Sequence, residues 1–73
     1  MVPSTTNASS PLSKRELEVA RLVAGGLSNK EIGSRLFLSE RTVETHVSKI
    51  LKRLGINSRV EIASWVAQEP STD

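Results

Sequence analysis

Seventy-three residues make one domain with a small core, and ten Lys and Arg against eight Asp and Glu leave a formal net charge of +2. The absence of cysteine excludes disulfides and thiolate metal sites, and a single histidine leaves no plausible zinc constellation. No apolar run approaches the roughly 18 residues that span a bilayer, and the polar segment after Met1 lacks the basic n-region of a signal peptide, so the expected location is the cytoplasm, with no membrane partner.

Residues 1–11, MVPSTTNASSP, carry no hydrophobic pattern after Val2 and read as a disordered tail or linker. An initiator Met followed directly by linker-like sequence suggests a further domain upstream in the natural protein. Ser13 and Glu16 then form a capping box, in which each side chain takes the other's orphan backbone N–H, with Leu12 and Leu17 placed as a hydrophobic staple. Val19, Ala20, Leu22 and Val23 follow at helical spacing, and Gly25-Gly26 supplies the left-handed stop. The first helix is predicted over 13–24.

Ser28 and Glu31 form a second box, with Ile32 and Leu36 directed inward, so a short second helix runs over about 28–36. Phe37-Leu38 makes a turn and Ser39 caps the third helix, 39–54, which Gly55 ends. Ser58 and Glu61 read as a further complete box opening a fourth helix to about Ala67, and residues 68–73 form a polar tail. No stretch alternates with the period of a strand. The prediction is an all-α four-helix bundle over 12–67, built from Leu, Ile, Val and Ala, in which a turn of about three residues joins the second and third helices as in a helix-turn-helix.

The third helix has two faces. At about 100° per residue, Val43, Val47, Ile50 and Leu54 fall in one narrow stripe that needs a core. Arg41, Thr45, Ser48, Lys49 and Lys52 fall opposite, with no acid and no large hydrophobe among them. Between residues 41 and 59 five cations, Arg41, Lys49, Lys52, Arg53 and Arg59, stand against the single acid Glu44, so positive charge is concentrated here. A solvated helix surface normally carries Glu-to-Lys pairs at i, i+4, and these are nearly absent. Thr45 and Ser48 are short enough to let the backbone approach a groove floor. Lys49 and Lys52 suit phosphate oxygens or guanine, and Arg41 suits guanine bidentately.

Other constellations are poorer. No Asp lies inside the folded part, and Glu16, Glu31 and Glu61 are engaged as caps, so no catalytic set assembles and no cofactor is expected. His46 lies at the boundary of the buried stripe; packing with a backbone hydrogen bond is the plainer reading, a phosphate contact the sharper one. Ser28, Asn29 and Lys30 open the second helix, where free N–H groups and the helix dipole favour an anion. The fourth helix turns Ile62, Ala63 and Val66 inward, whereas its far side carries Val60, Ser64 and Ala67, small and uncharged. That side suits close approach of a two-fold related copy, and the patch is too small to hold a stable dimer by itself.

Residues 12–66 resemble the LuxR-type (GerE-like) helix-turn-helix domain, nearest the NarL/FixJ response-regulator branch. The resemblance rests on L-S-x-R-E-x-E-V at the start, G-L-S-N-K-E-I at Gly26 to Ile32, L-S-x-x-T-V at Leu38 to Val43, and L-G-I-x-S-R at Leu54 to Arg59. It implies the DNA-binding domain of a bacterial transcription regulator, with the third helix in the major groove, the fourth dimerising on DNA, and a receiver or sensor domain upstream. By position it implies base or groove contacts at Glu44, Thr45 and Ser48, and phosphate contacts at Asn29, Lys30, Thr42 and Lys49 or Lys52. Glu44 departs from the Lys or Arg common in relatives; a carboxylate accepts from cytosine N4 or pairs with a cation. Two alternatives stay open: a sigma-factor-like promoter-reading domain acting as a monomer, and a helical protein-interaction module.

Overall fold

The computed structural model describes residues 11–68. Four helices follow in chain order: α1 (Lys14–Ala24), α2 (Asn29–Leu36), α3 (Glu40–Leu54) and α4 (Arg59–Gln68), with no strand among the described residues. The all-α expectation is met, and each helix begins one residue after its expected cap. The predicted tails, 1–11 and 68–73, lie outside the described residues except for Pro11 and Gln68.

The helix starts are local. In α1 the Ser13 N–H donates to Glu16 Oε1 at 3.0 Å and the Glu16 N–H to Ser13 Oγ at 3.2 Å. In α2 the same exchange between Ser28 and Glu31 runs at 2.8 and 3.1 Å. Ser39 Oγ accepts from the Thr42 N–H at 3.0 Å, and its own hydroxyl donates to Thr42 Oγ1 at 2.9 Å. The fourth start differs from expectation: Glu61 Oε1 accepts from the Asn57 N–H at 3.1 Å, one residue before Ser58. The carboxylate has reached past the predicted cap to the preceding turn, so the reciprocal box is not formed there.

The first three helices end alike. A left-handed residue follows the last turn, and the next N–H reaches back to a carbonyl five residues earlier, which satisfies groups that would otherwise be orphaned. Leu27 N–H donates to Leu22 O, Leu38 N–H to Gly33 O, and Ile56 N–H to Leu51 O, at 3.2, 2.8 and 3.0 Å. The left-handed residues are Gly26 (φ 92°), Phe37 (φ 61°) and Gly55 (φ 68°). Leu27, Leu38 and Ile56, just beyond them, all pack on the core, so each turn is pinned by an apolar anchor.

Leu12, Val19, Ala20, Val23, Ile32, Val43, Val47, Ile50 and Ile62 form that core. α1 packs against α4 and α3, and α2 lies mainly against α3. Two contacts set how α3 is held. Gly33, in the middle of α2, is buried, and a Cβ there would meet the Leu38 carbonyl oxygen at 2.5 Å. The turn therefore crosses α2 at backbone distance. At the other end of α3, Arg53 Nε lies 3.1 Å from Glu16 Oε1, and Glu16 is only 4% exposed. That carboxylate oxygen serves both the α1 cap and the last turn of α3. Burying a carboxylate is costly unless it is paired and hydrogen-bonded, and here it is both.

Candidate nucleic-acid interface

α3 presents the face its periodicity predicted. Val43, Val47 and Ile50 are buried, while Arg41, Thr42, Glu44, Thr45, Ser48, Lys49 and Lys52 are exposed. Among the described residues, the side chains of Arg41, Glu44, Ser48, Lys49 and Lys52 engage no hydrogen bond or ion pair within the chain. The Thr45 hydroxyl donates to the Arg41 carbonyl at 3.2 Å, so its oxygen is left to act as an acceptor. Thr42 is complementary: its Oγ1 already accepts from Ser39, which leaves its O–H free to donate.

The start of α2 carries backbone donors that its cap leaves over. Four N–H groups of a helix start lack intrahelical partners. The box satisfies those of Ser28 and Glu31; those of Asn29 and Lys30 have no acceptor among the described residues. Lys30 is exposed beside them. Ser28, assigned with them to the anion-facing set, has its hydroxyl oxygen engaged by the Glu31 N–H. Glu31 itself titrates below its ordinary value of 4.5, because it accepts from the Ser28 backbone N–H and then from the Ser28 side chain, with Arg35 adding attraction. The carboxylate stays ionised and holds the cap.

Two of the five cations counted along 41–59 do not face outward as free charges. Arg53 is tied to Glu16. Arg59 donates from Nη1 to Asn29 Oδ1 at 2.7 Å and from Nη2 to the Leu27 carbonyl at 2.6 Å. The free basic face is thus Arg41, Lys49 and Lys52, with Lys30 contributed by α2. His46 is half-buried, and its Nδ1 is buried with no hydrogen-bond partner, so that nitrogen does not make the expected backbone bond. Gly33 escaped the sequence reading, although a glycine inside a helix costs about 1 kcal/mol against alanine and so signals a close approach. Nothing in the sequence signals the Arg53 and Arg59 ties.

On α4, Ile62 is buried and Ala63, Trp65 and Val66 are half-buried, whereas Val60, Ser64 and Ala67 are exposed, Val60 at 74%. Among the described residues no group of His, Asp and Glu gathers as a metal site, and no helix is long and apolar enough to cross a membrane.

Two helices joined by a three-residue turn, the second buried on one face and basic on the other, define a helix-turn-helix of the class with which transcription regulators bind DNA. The chain belongs to the luxR family of bacterial regulatory proteins: the family's GerE model matches residues 10–66. It is 44% identical over 68 residues to the oxygen regulatory protein NreC of Staphylococcus aureus strains bovine RF122 / ET3-1 and MRSA252, and 42% identical over 66 residues to that of strain JH9. The first two alignments take in 89% of this chain and 31% of the relative, so the chain spans about a third of the length of the relatives it matches. Family membership makes this a DNA-binding domain of transcription regulation, in a family that is not one of enzymes.

Proposed function

We propose that the chain is the sequence-reading effector domain of a cytoplasmic bacterial response regulator, bound to double-stranded DNA as a two-fold dimer. The observation that supports this best is the exposed face of α3, which combines short polar side chains with three cations left unengaged by the chain. In this reading α3 lies in the major groove. Arg41, Glu44, Thr45, Ser48 and Lys49 approach base edges; the Thr45 oxygen, its proton already donated, accepts from adenine N6 or cytosine N4. Asn29, Lys30, Thr42 and Lys52 stand along the phosphates, which supply most of the affinity and set register, with Ser28 at the same helix start holding the cap that presents them. Val60, Ser64 and Ala67 meet their two-fold mates, and a receiver or sensor domain upstream controls the whole. The chemistry needs no cofactor and no catalytic group.

The test is selection of bound sites from a randomised duplex pool, followed by affinity of the selected site against salt. A palindromic consensus with a steep loss of affinity as salt rises is expected. A non-palindromic winner bound by one copy would favour a monomeric promoter reader. Enrichment no better than random DNA, with a flat salt response, would overturn the DNA role of α3 and leave a protein partner.

A further inference from the structure

The sequence places Arg59 among the cations of the basic span, yet the fold withdraws it. It is the first residue of α4, half-buried, and its two terminal nitrogens grip two acceptors some thirty residues away: Asn29 Oδ1 at 2.7 Å and the Leu27 carbonyl at 2.6 Å. A guanidinium can only donate. Asn29 must therefore present its oxygen to Arg59, and the amide's NH2 group is forced to the opposite side. That group has no acceptor among the described residues. The backbone N–H groups of Asn29 and Lys30, in the same first turn of α2, are likewise without an acceptor among the described residues.

We propose that Arg59 is a positioning residue for DNA binding. By holding Asn29 Oδ1 and the Leu27 carbonyl it fixes the Asn29 amide so that an Nδ2 proton is directed at a backbone phosphate, and it ties that contact to the start of α4. The proposal rests on the DNA reading above and adds to it a residue that never touches DNA. The planar fork is what the task requires. A lysine at 59 keeps the charge but offers a single point donor that cannot hold both acceptors in fixed directions. The tie also joins the helix assigned to dimer contact with the helix assigned to phosphate contact, through one side chain.

The experiment uses the 73-residue chain and a random-sequence duplex, since a phosphate contact is independent of sequence. Wild-type binding and its salt dependence come first; if they are absent, the DNA reading itself falls and this role with it. Asn29→Asp then separates the two ends of the amide. It leaves an acceptor for Arg59, now charge-assisted, and deletes the Nδ2 donors. Its melting temperature is expected to match or exceed wild type while affinity falls about tenfold or more, as for loss of a hydrogen bond to a charged group. Undiminished binding by Asn29→Asp would overturn the proposal while leaving the DNA reading intact.

Arg59→Lys and Arg59→Ala are both expected to bind about three- to tenfold more weakly, a range set by loss of one oriented hydrogen bond. Adding Asn29→Ala to Arg59→Ala should cost little more, because the two residues act as one unit. Wild-type affinity in Arg59→Lys would reduce the role to charge. Fully additive losses in the double variant would show two independent residues; either result sinks the positioning role. Should Arg59→Ala fail to fold, Arg59→Lys still decides, because it keeps the charge and removes the fork.

Discussion

Phe37 occupies a place that the other two left-handed turns among the described residues give to glycine. Its φ is 61° and its ring is 93% exposed, so it bears backbone strain without the return of burial. A bulky residue in the left-handed region costs on the order of 1 kcal/mol or more. Phe37→Gly is expected to raise the melting temperature by a few degrees, an increment smaller than the strain because glycine also gains freedom in the unfolded chain; a lower melting point would show that the ring packs. Glu31 makes a second prediction at this scale. Its folded value is depressed by the Ser28 hydrogen bonds, so its contribution is complete above the ordinary carboxylate range and fades as pH falls through the lowered value. Wild type should be more stable than Glu31→Gln at neutral pH, and their melting temperatures should converge in acid. A constant difference across pH would assign the effect to something other than the charge.

Between elements, the decisive contact is Gly33 under the Leu38 carbonyl. On a free helix surface Gly→Ala stabilises by about 1 kcal/mol. Here the added Cβ would lie 2.5 Å from a backbone oxygen, and backbone cannot swing aside as a side chain does. The sign should reverse: Gly33→Ala is expected to cost about 2 kcal/mol, a fall of roughly 8–16 °C for a domain of this size. DNA affinity should fall further than stability explains, because the angle between α2 and α3 sets where the proposed phosphate and groove contacts lie relative to each other. A variant as stable as wild type would mean that the turn relaxes freely. Arg53 and Glu16 tie the far end of α3 to α1, so the helix proposed to face the groove is held at both ends as well as by its buried Val43, Val47 and Ile50.

At the scale of the molecule, α4 buries one side and leaves Val60, Ser64 and Ala67 uncovered. Val60→Glu changes an exposed position, so the melting temperature should hold to within about 0.5 kcal/mol of stability. Binding to a single half-site should be unaffected, whereas cooperative occupation of paired half-sites should be lost, as read by titrating duplexes that carry one or two half-sites. Equal cooperativity in the variant would remove α4 from the dimer contact.

What the sequence determined by itself is local. Ser13 with Glu16, Ser28 with Glu31, and Ser39 each find their partners within three residues; Gly26 and Gly55 stop helices through their own conformational freedom; Val43, Val47 and Ile50 declare the buried side of α3 by period alone. Such interactions are complete within a turn or two of chain, so their residues announce them. The tertiary structure alone decided where the basic side chains go. Lys49, Arg53 and Arg59 look equivalent in the sequence, yet one faces outward, one closes on Glu16, and one grips Asn29 and the Leu27 carbonyl across some thirty residues. The reach of Glu61 to Asn57 rather than Ser58 is local too, but two neighbouring N–H groups compete for one carboxylate and the residue types do not rank them. A charge carries no mark of its partner, and the partner is chosen by how the helices rotate and cross once the apolar stripes have met.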